Sequence, residues 1–373
     1  MKICFLCNEY PPCPRVGGIG TFTHTIAHGL ADVGHEITVL GYGEHYGEWK
    51  DNGIRVVVLA QSTMRGVAWF VNRWNLYLWL KHEACAGRID IVEAPDYQGM
   101  LPFPFSVCPV IIRLHTSFIP VSKLQRILER KTLKIHRNWI GVSKWIVTET
   151  QRKYNLMPEN GVVIYNPVPD VDVNIMQLDE SLCNFVIYVG TVRDGKGAYT
   201  LAEAANMFLA AHQDLHLIYI GGLTVENGKR SDETIRRILR NEIMERVHFL
   251  GSVEHDAVLA YMRKARICVL PSKLEAFSMV PLEAMSCGVP IVYSASHSGP
   301  EAIDDGVTGL LADPYSSSDI AEKVEQILND PSLGARLAEN AKEVVKKRFS
   351  IQQCVRKTLK FYEQCSLHIT RKD

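Results

Sequence analysis

The chain has 373 residues, of which 47% are hydrophobic and 22% are charged, and its formal net charge is zero. This length favours about two domains, and the composition is typical of a water-soluble globular protein. The balanced charge provides no general attraction to nucleic acid, and no apolar run suits a membrane-spanning helix or an N-terminal secretory signal.

Strand and helix patterns alternate along the first half of the chain. Residues 2–6 predict a strand, residues 17–20 a glycine-rich loop and residues 21–32 an amphipathic helix. Further apolar, β-prone segments predict strands at 37–42, 54–60, 89–94, 110–115, 138–143 and 161–166. Such alternation is typical of a parallel sheet with crossover helices, so this half is expected to be Rossmann-like.

The glycine-rich loop, residues 15–21, allows more than one interpretation. A dinucleotide site is one of them, because Glu44 ends the next predicted strand, where a ribose-binding acid would be expected. However, the G-x-G-x-x-G pattern fails, since Thr23 occupies the position of its last glycine. The alternatives are a plain tight turn and a loop in which Gly17 and Gly18 let the backbone approach a ligand.

A polar, proline-marked run at 167–181 is the best candidate for an interdomain linker. A second alternating half begins with a predicted strand at 185–190 and includes another at 267–272. The tail from about residue 318 to 366 is predicted to be helical. No internal sequence repeat is visible.

The most informative segment, KLEAFSMVPLEAMSCGVPIV, holds Glu275 and Glu283 with seven residues between them, the pattern E-x7-E. It follows a predicted buried strand, and Pro281 and Gly288 suit the start and the end of a short helix. In open α/β sheets such strand-to-helix junctions bind ligands, and a helix N-terminus attracts an anion. Two carboxylates beside an anion site suit a polyhydroxyl group, so the pattern indicates a nucleotide sugar.

This segment, flanked by PS and CGVPIV and followed by GPEAIDDGVTGLL at 299–311, resembles the retaining, nucleotide-sugar-dependent glycosyltransferases of family four. The resemblance implies an α/β GT-B fold with two Rossmann-like domains facing across a cleft. It further implies an acceptor-side domain at 1–167, completed by about 352–373 with the last helix crossing back. Residues 168–351 would then form the nucleotide-sugar-binding domain.

The same resemblance implies the residues of the site. His115 would contact the transferred sugar or the diphosphate, Glu275 the sugar hydroxyls and Glu283 the ribose. In Gly190-Thr-Val-Arg193-Asp-Gly-Lys196-Gly197, Lys196 matches the phosphate-binding lysine of the family, whereas Thr191 stands at the usual arginine position. Arg193 is expected to substitute for that arginine. The remaining residues expected to bind substrate are Gly17, Gly18, Gly190, Phe277, Ser278, Met279 and Val280.

Metal-ion and cofactor chemistry is not expected from the sequence. Asp170 and Asp172 form a D-x-D pattern, but it lies in the linker, and no other carboxylate or histidine cluster is visible. Cys4 and Cys7 form a single C-x-x-C without a second pair or a nearby histidine. We therefore expect no cofactor, a metal-independent reaction and reduced thiols in a cytoplasmic protein.

The implied partners are a nucleoside-diphosphate sugar and a saccharide, glycoside or lipid-linked acceptor with a free hydroxyl. The basic run at 121–153 and the aromatic run at 68–80 suit peripheral contact with an anionic membrane, and equally a solvated basic helix beside core aromatics. The implied activity is transfer of a hexose-type sugar in polysaccharide, glycolipid or glycoside biosynthesis. Alternatives are a GT-B-like nucleotide-sugar epimerase and a non-catalytic transferase-like subunit.

Overall fold

The computed structural model describes residues 1–12, 17–116, 122–169 and 184–369. The chain divides into two compact units: unit 1 comprises Met1–Pro167 with Ile351–Asp373, and unit 2 comprises Val168–Ser350. Residues 15 and 16 of the glycine-rich loop, together with Asp170 and Asp172 of the D-x-D pattern, lie outside the described residues.

Unit 1 contains an eight-stranded sheet. Its strands are β1 (Lys2–Leu6), β2 (Glu36–Gly43), β3 (Gly47–Asp51), β4 (Ile54–Ala60), β5 (Ile91–Pro95), β6 (Val110–Leu114), β7 (Asn138–Gly141) and β8 (Asn160–Val163). The strand order is β3-β4-β2-β1-β5-β6-β7-β8, and every pairing is parallel except that of β3 with β4. Four helices of this unit are α1 (Gly18–Asp32), α2 (Ala68–Cys85), α3 (Lys123–Ile135) and α4 (Lys144–Tyr154).

Unit 2 contains a six-stranded, fully parallel sheet and a small hairpin. Its strands are β9 (Phe185–Val189), β10 (His216–Ile220), β11 (Val225–Glu226), β12 (Lys229–Arg230), β13 (Val247–Gly251), β14 (Ile267–Leu270), β15 (Ile291–Ser294) and β16 (Leu310–Ala312). Its helices are α5 (Ala198–Ala211), α6 (Ser231–Ile238), α7 (His255–Lys264), α8 (Val280–Cys287), α9 (Gly299–Ala302), α10 (Ser317–Asn329) and α11 (Pro331–Val344).

The order of strands in unit 2, β13-β10-β9-β14-β15-β16, has a consequence for ligand binding. From β9 the chain first builds the sheet in one direction and then returns to build it in the other, beginning with β14. The loops after β9 and β14 therefore leave neighbouring strands at the point where the topology switches. In doubly wound sheets this is where ligands bind.

The last helix, α12 (Ile351–Ile369), belongs to unit 1 and packs on α1. Gly29 permits this packing, because a Cβ at that position would come within 3.0 Å of Val355. A closing helix that returns to the first part of the chain is thus a feature of this fold, as the resemblance implies.

Most predicted elements of unit 1 are confirmed, with shifts of one to three residues at their ends. The strands predicted at 2–6 and 54–60 match β1 and β4. The segment predicted as a strand at 161–166 is shorter, because β8 ends at Val163. The edge strand β3 has the polar sequence GEWKD, so no apolar pattern predicts it.

Candidate active site

The loop after β9 depends on two glycines with positive φ. Gly190 has φ +143° and donates its amide to the Ile220 carbonyl at 2.9 Å, which ties the loop to β10. Gly197 has φ +73°, and a Cβ there would overlap the Pro271 carbonyl just after β14. Other residues pay a steric cost in this conformation, so glycine at both positions lets the loop close against the neighbouring strand end. Lys196, immediately before Gly197, is thereby brought to the loop after β14.

The loop after β14 carries Glu275 and leads into helix α8. Met279 precedes the helix and its side chain does not cap it, Pro281 lies in the first turn, and Gly288 follows the last residue at φ +72°. Backbone N–H groups in the first turn of a helix have no intrahelical acceptor, and they carry the positive end of the helix dipole. The start of α8 therefore suits an anionic group.

Lys196 and Glu275 form an ion pair in which Lys196 Nζ donates to Glu275 Oε1. The two side chains are 26% and 15% exposed, so both remain accessible. They line a cavity of about 170 Å³ at the ends of β9 and β14. The other lining residues are Tyr188, Val189, Gly190, Thr191, Leu270, Ser272, Ser278, Val280 and Tyr293.

Glu283 lies on α8 and has a different partner from Glu275. Its Oε1 atom lies 3.1 Å from Nε2 of His255 on α7, and the carboxylate is 12% exposed. The hydrogen bond with Glu283 raises the pKa of His255, so the pair is strengthened by the histidine charge. Glu283 does not line the cavity that contains Glu275. The two glutamates of this strand–loop–helix segment therefore lie in different local environments and have different partners.

The cavity joins some of the residues predicted from the sequence and leaves others outside. Gly190, Lys196, Glu275, Ser278 and Val280 line it. Arg193 is exposed and does not line it, and neither do Phe277, Met279 and Glu283. Phe277 is buried, with its ring 5.7 Å from that of Phe349, so it packs in the protein core.

Sequence reasoning missed two buried tyrosines of the cavity wall. Tyr188 donates its hydroxyl to the Thr191 carbonyl at 2.9 Å and so orients the glycine-rich loop. Burial raises the pKa of Tyr188, and the Glu275 charge adds to this effect. Tyr293 is buried at the end of β15. The only signal in the sequence was their position near the ends of predicted strands.

In unit 1, His115 follows β6, with its amide donating to Asp96 Oδ1 at 2.9 Å and its ring 5.0 Å from that of Phe22. Burial lowers the pKa of His115 to about 3, and the nearby Arg113 charge contributes in the same direction. The imidazole is therefore neutral at physiological pH. It can donate one hydrogen bond and accept another, but it does not supply a positive charge.

The loop before α1 contains a carboxylate that sequence reasoning missed. Glu9 accepts hydrogen bonds from the backbone of Gly17 and Gly20, and burial raises its pKa despite these bonds. A Cβ at Gly20 would overlap the Glu9 carbonyl, whereas one at Gly18 would meet nothing within 4 Å. Close packing therefore requires Gly20, while Gly18 leaves open space at the start of α1.

A second cluster that the sequence did not reveal is formed by His24, His28 and Asp51 in unit 1. Asp51 is distant in sequence from the two histidines of α1, and the pairing of β3 with β4 places it beside that helix. The cysteines of the described residues are all unbridged thiols. None of the helices in the described part of the chain has the length and apolarity needed to cross a bilayer.

Comparison with known proteins gives two family matches that together extend over most of the chain. Residues 16–171 match the model described as Glycosyltransferase Family 4, and residues 180–344 match that of the Glycosyl transferases group 1. An uncharacterized glycosyltransferase of Methanocaldococcus jannaschii is 28% identical over 362 residues, which are 95% of this chain and 96% of the relative.

Solved structures show the same fold. Sucrose-phosphate synthase from Thermosynechococcus elongatus superposes with a TM-score of 0.77 at 19% identity, covering 97% of this chain and 98% of that one. The Anabaena protein HepE in complex with UDP-glucose gives a TM-score of 0.69 at 21% identity, covering 96% and 99%. The fold, the two family matches and the strand–loop–helix site agree: this chain belongs to the GT-B glycosyltransferases of the family-four type.

Proposed function

We propose that this glycosyltransferase moves a hexose-type sugar from a nucleoside-diphosphate sugar to an acceptor hydroxyl, with retention of configuration at the anomeric carbon. The observation that carries the proposal is the accessible Lys196–Glu275 pair at the topological switch point of unit 2. The Anabaena protein of the same fold is known with UDP-glucose bound. The acceptor is a saccharide, a glycoside or a lipid-linked molecule.

Positive groups around the cavity suit the diphosphate of the donor. Lys196 supplies a compact positive charge. The backbone N–H groups of residues 278–280, at the start of α8, supply hydrogen-bond donors for the phosphates. Negative charge grows on the diphosphate as the glycosidic bond breaks, so these groups would stabilise the transition state more than the ground state. Gly190 leaves room for the phosphates beside the loop.

The carboxylates suit the two polyhydroxyl ends of the donor. Glu275 would accept hydrogen bonds from the hydroxyls of the transferred sugar. These hydroxyls would replace Lys196 as the partner of Glu275, so the Lys196 ammonium would be free to bind the phosphates. Glu283 would accept hydrogen bonds from the ribose, in place of His255. In unit 1, the neutral His115 would contact the sugar or diphosphate. The Gly17–Gly18 loop would admit the phosphates at Gly18, which faces open space, whereas Gly17 packs against Glu9.

The proposed reaction needs no covalent enzyme intermediate. The bond from the anomeric carbon to the phosphate oxygen breaks, and the acceptor oxygen forms its new bond on the same face of the sugar. The proton of the acceptor hydroxyl passes to a phosphate oxygen of the leaving diphosphate. This route suits a site whose described residues offer Lys196 and helix N–H groups for the leaving group.

The central experiment incubates the pure protein with a panel of nucleoside-diphosphate sugars and candidate acceptors, and detects released nucleotide. NMR of the product reports the anomeric configuration. Retention with acceptor-dependent release supports the proposal, and inversion would overturn it. Epimerised donor without transfer would identify an epimerase. No turnover in the presence of tight nucleotide binding would favour a non-catalytic subunit.

We also propose that transfer is metal-independent, because the diphosphate charge can be met by Lys196 and the start of α8. Activity should survive excess EDTA when the assay is run well below the unfolding temperature. Loss of activity with rescue by Mg²⁺ or Mn²⁺ would contradict this and would direct attention to Asp170 and Asp172.

Helices α2 and α3 expose aromatic and basic side chains on one surface of unit 1. The ring of Trp74 lies 5.3 Å from that of Phe103, and Lys131 Nζ lies 5.8 Å from the centre of the same Phe103 ring. Phe103 therefore joins the two helices. On α3, Ile127 is 63% exposed and lies among exposed basic residues: Lys123, Arg126, Arg130, Lys131 and Lys134.

This combination supports a second proposal, peripheral contact of a cytoplasmic protein with the anionic inner face of a membrane. Reversal of Arg130, Lys131 and Lys134 to Glu should weaken sedimentation with phosphatidylglycerol-containing vesicles, with roughly 1 kcal/mol at stake per charge. The matched control reverses Arg236, Arg237 and Arg240 of unit 2, which are also exposed. Equal binding by both triple variants would remove the membrane role of α3.

A further inference from the structure

Two histidines and an aspartate converge in unit 1, and none of them has a role in the proposed transfer. His24 and His28 are four residues apart on α1, so their side chains share one face of the helix. Asp51 ends the edge strand β3. Its Oδ2 atom lies 3.1 Å from His28 Nε2 and 3.5 Å from His24 Nε2, and the three ligand atoms all lie within 4.8 Å of one another.

These separations suit a small divalent cation. With metal–ligand bonds of about 2.1 Å, neighbouring ligands of a tetrahedral zinc ion are about 3.4 Å apart. The centres of the two imidazole rings are 4.3 Å apart, and both rings direct Nε2 at the Asp51 carboxylate. The three side chains are partly exposed, which leaves a path for the ion and for a water as the fourth ligand.

Tyr10 also contacts the aspartate, at the same oxygen that faces the two imidazoles. Its hydroxyl donates to Asp51 Oδ2 at 2.8 Å, and its ring lies 5.5 Å from that of His24. Oriented hydrogen bonds of this kind fix carboxylate ligands in protein metal sites, and their loss commonly lowers affinity. Without a cation, hydrogen bonds from Tyr10 and one histidine would be enough to satisfy the Asp51 carboxylate. They would not explain why the second imidazole faces the same oxygen.

We propose that His24, His28 and Asp51 bind a zinc-class divalent cation that fastens helix α1 to the edge strand β3. Two imidazoles and one carboxylate favour Zn²⁺ and its neighbours Co²⁺, Ni²⁺ and Cu²⁺ over Mg²⁺ or Ca²⁺. The role is structural, since the ion would join the helix that follows the glycine-rich loop to the margin of the sheet. It is independent of the proposed sugar transfer.

The test uses tag-free, full-length protein in a Cys85→Ser background, because Cys85 is an exposed thiol that could itself take up zinc. Calorimetric titration with Zn²⁺ should show one site. His24→Ala and Asp51→Asn should each weaken it at least about 10-fold, and Tyr10→Phe should weaken it to a smaller extent. The matched control is His45→Ala, which removes an exposed histidine outside the cluster.

Thermal unfolding provides a second readout that does not depend on activity. Zn²⁺ at about 100 times its Kd should raise the Tm of the parent by about 3–4 °C relative to the chelator-treated sample. The same comparison within His24→Ala should give little shift, which separates lost binding from lost stability. Absence of zinc binding by the parent, or unchanged binding by His24→Ala and Asp51→Asn, would overturn the proposal.

Discussion

Each unit has an ion pair beside the ends of its central strands, and the two pairs differ in almost every physical respect. In unit 1, Arg113 on β6 donates from Nε and Nη2 to both oxygens of Glu93 on β5, at 2.7 and 3.0 Å. The side chains are only 1% and 3% exposed. In unit 2, Lys196 meets Glu275 through one contact, and both side chains are reached by solvent.

The surroundings of the two pairs also differ: the first is enclosed by protein groups, and the second is open to a cavity. Tyr362 on α12 donates to Glu93 Oε2 at 2.6 Å, and the Phe22 ring lies 4.7 Å from the Arg113 guanidinium. Protein groups thus surround the first pair. The second borders a cavity of about 170 Å³ and lies on two loops. A bidentate, enclosed pair holds the closing helix α12 to the sheet, whereas an open, single-contact pair can exchange partners with a ligand.

The largest effect is expected from Glu93→Gln. This change leaves the Arg113 charge buried without its counter-ion and should lower the free energy of unfolding by about 3–5 kcal/mol. Urea unfolding measures it. The double variant Glu93→Gln, Arg113→Met removes the stranded charge and should recover part of the loss. A loss below about 1 kcal/mol in the single variant would show that the buried pair does not hold unit 1 together.

Lys196→Ala should lower activity strongly and stability little, the reverse of what is expected for Glu93→Gln. We expect kcat to fall about 10²–10³-fold, because the ammonium acts on charge that develops in the transition state. Urea unfolding should change little, since an accessible ion pair contributes only about 0–1 kcal/mol. Wild-type turnover by a folded variant would remove Lys196 from the transfer machinery. A large loss of stability would show that the Lys196–Glu275 pair has a structural role, like the Arg113–Glu93 pair in unit 1.

Glu283→Ala should weaken nucleoside-diphosphate binding by about 1.5–3 kcal/mol, because the ribose hydroxyls would lose a charged acceptor. Calorimetry measures this. His255→Ala is the matched control, since it removes the partner of Glu283 and leaves the carboxylate for the ribose. It should retain or slightly improve affinity. Unchanged binding by Glu283→Ala would end the ribose assignment.

The sequence predicted the fold well because its signals are local. Buried strands such as β1, β4 and β14 are short apolar runs, and Pro281 and Gly288 mark the helix that follows the last of them. Glu275 and Lys196 were predicted as site residues because their loops carry a recognisable pattern, and both line the cavity of unit 2. The strand order that makes their loops neighbours is non-local, and here it agrees with the family resemblance.

Other parts of the site had no local signal. Tyr188 and Tyr293 belong to no motif, and their place beside Glu275 depends on the pairing of β9, β14 and β15. Glu9 belongs to no motif, and its packing against the start of α1 depends on Gly20. Asp51 reaches α1 only through the unpredicted strand β3. Contacts between segments that are distant in sequence were therefore the ones that sequence reasoning missed.

The smallest effect concerns Arg193, which the sequence placed beside Lys196. Its side chain is exposed and does not line the cavity, whereas Thr191, at the position of the family's arginine, does. Arg193→Ala should therefore lower kcat less than about 10-fold, as a peripheral charge that acts through solvent. Steady-state kinetics at low and high salt measure this, and the difference from wild type should shrink as salt rises. A loss equal to that of Lys196→Ala, and independent of salt, would mean that Arg193 contacts the diphosphate directly when the donor binds.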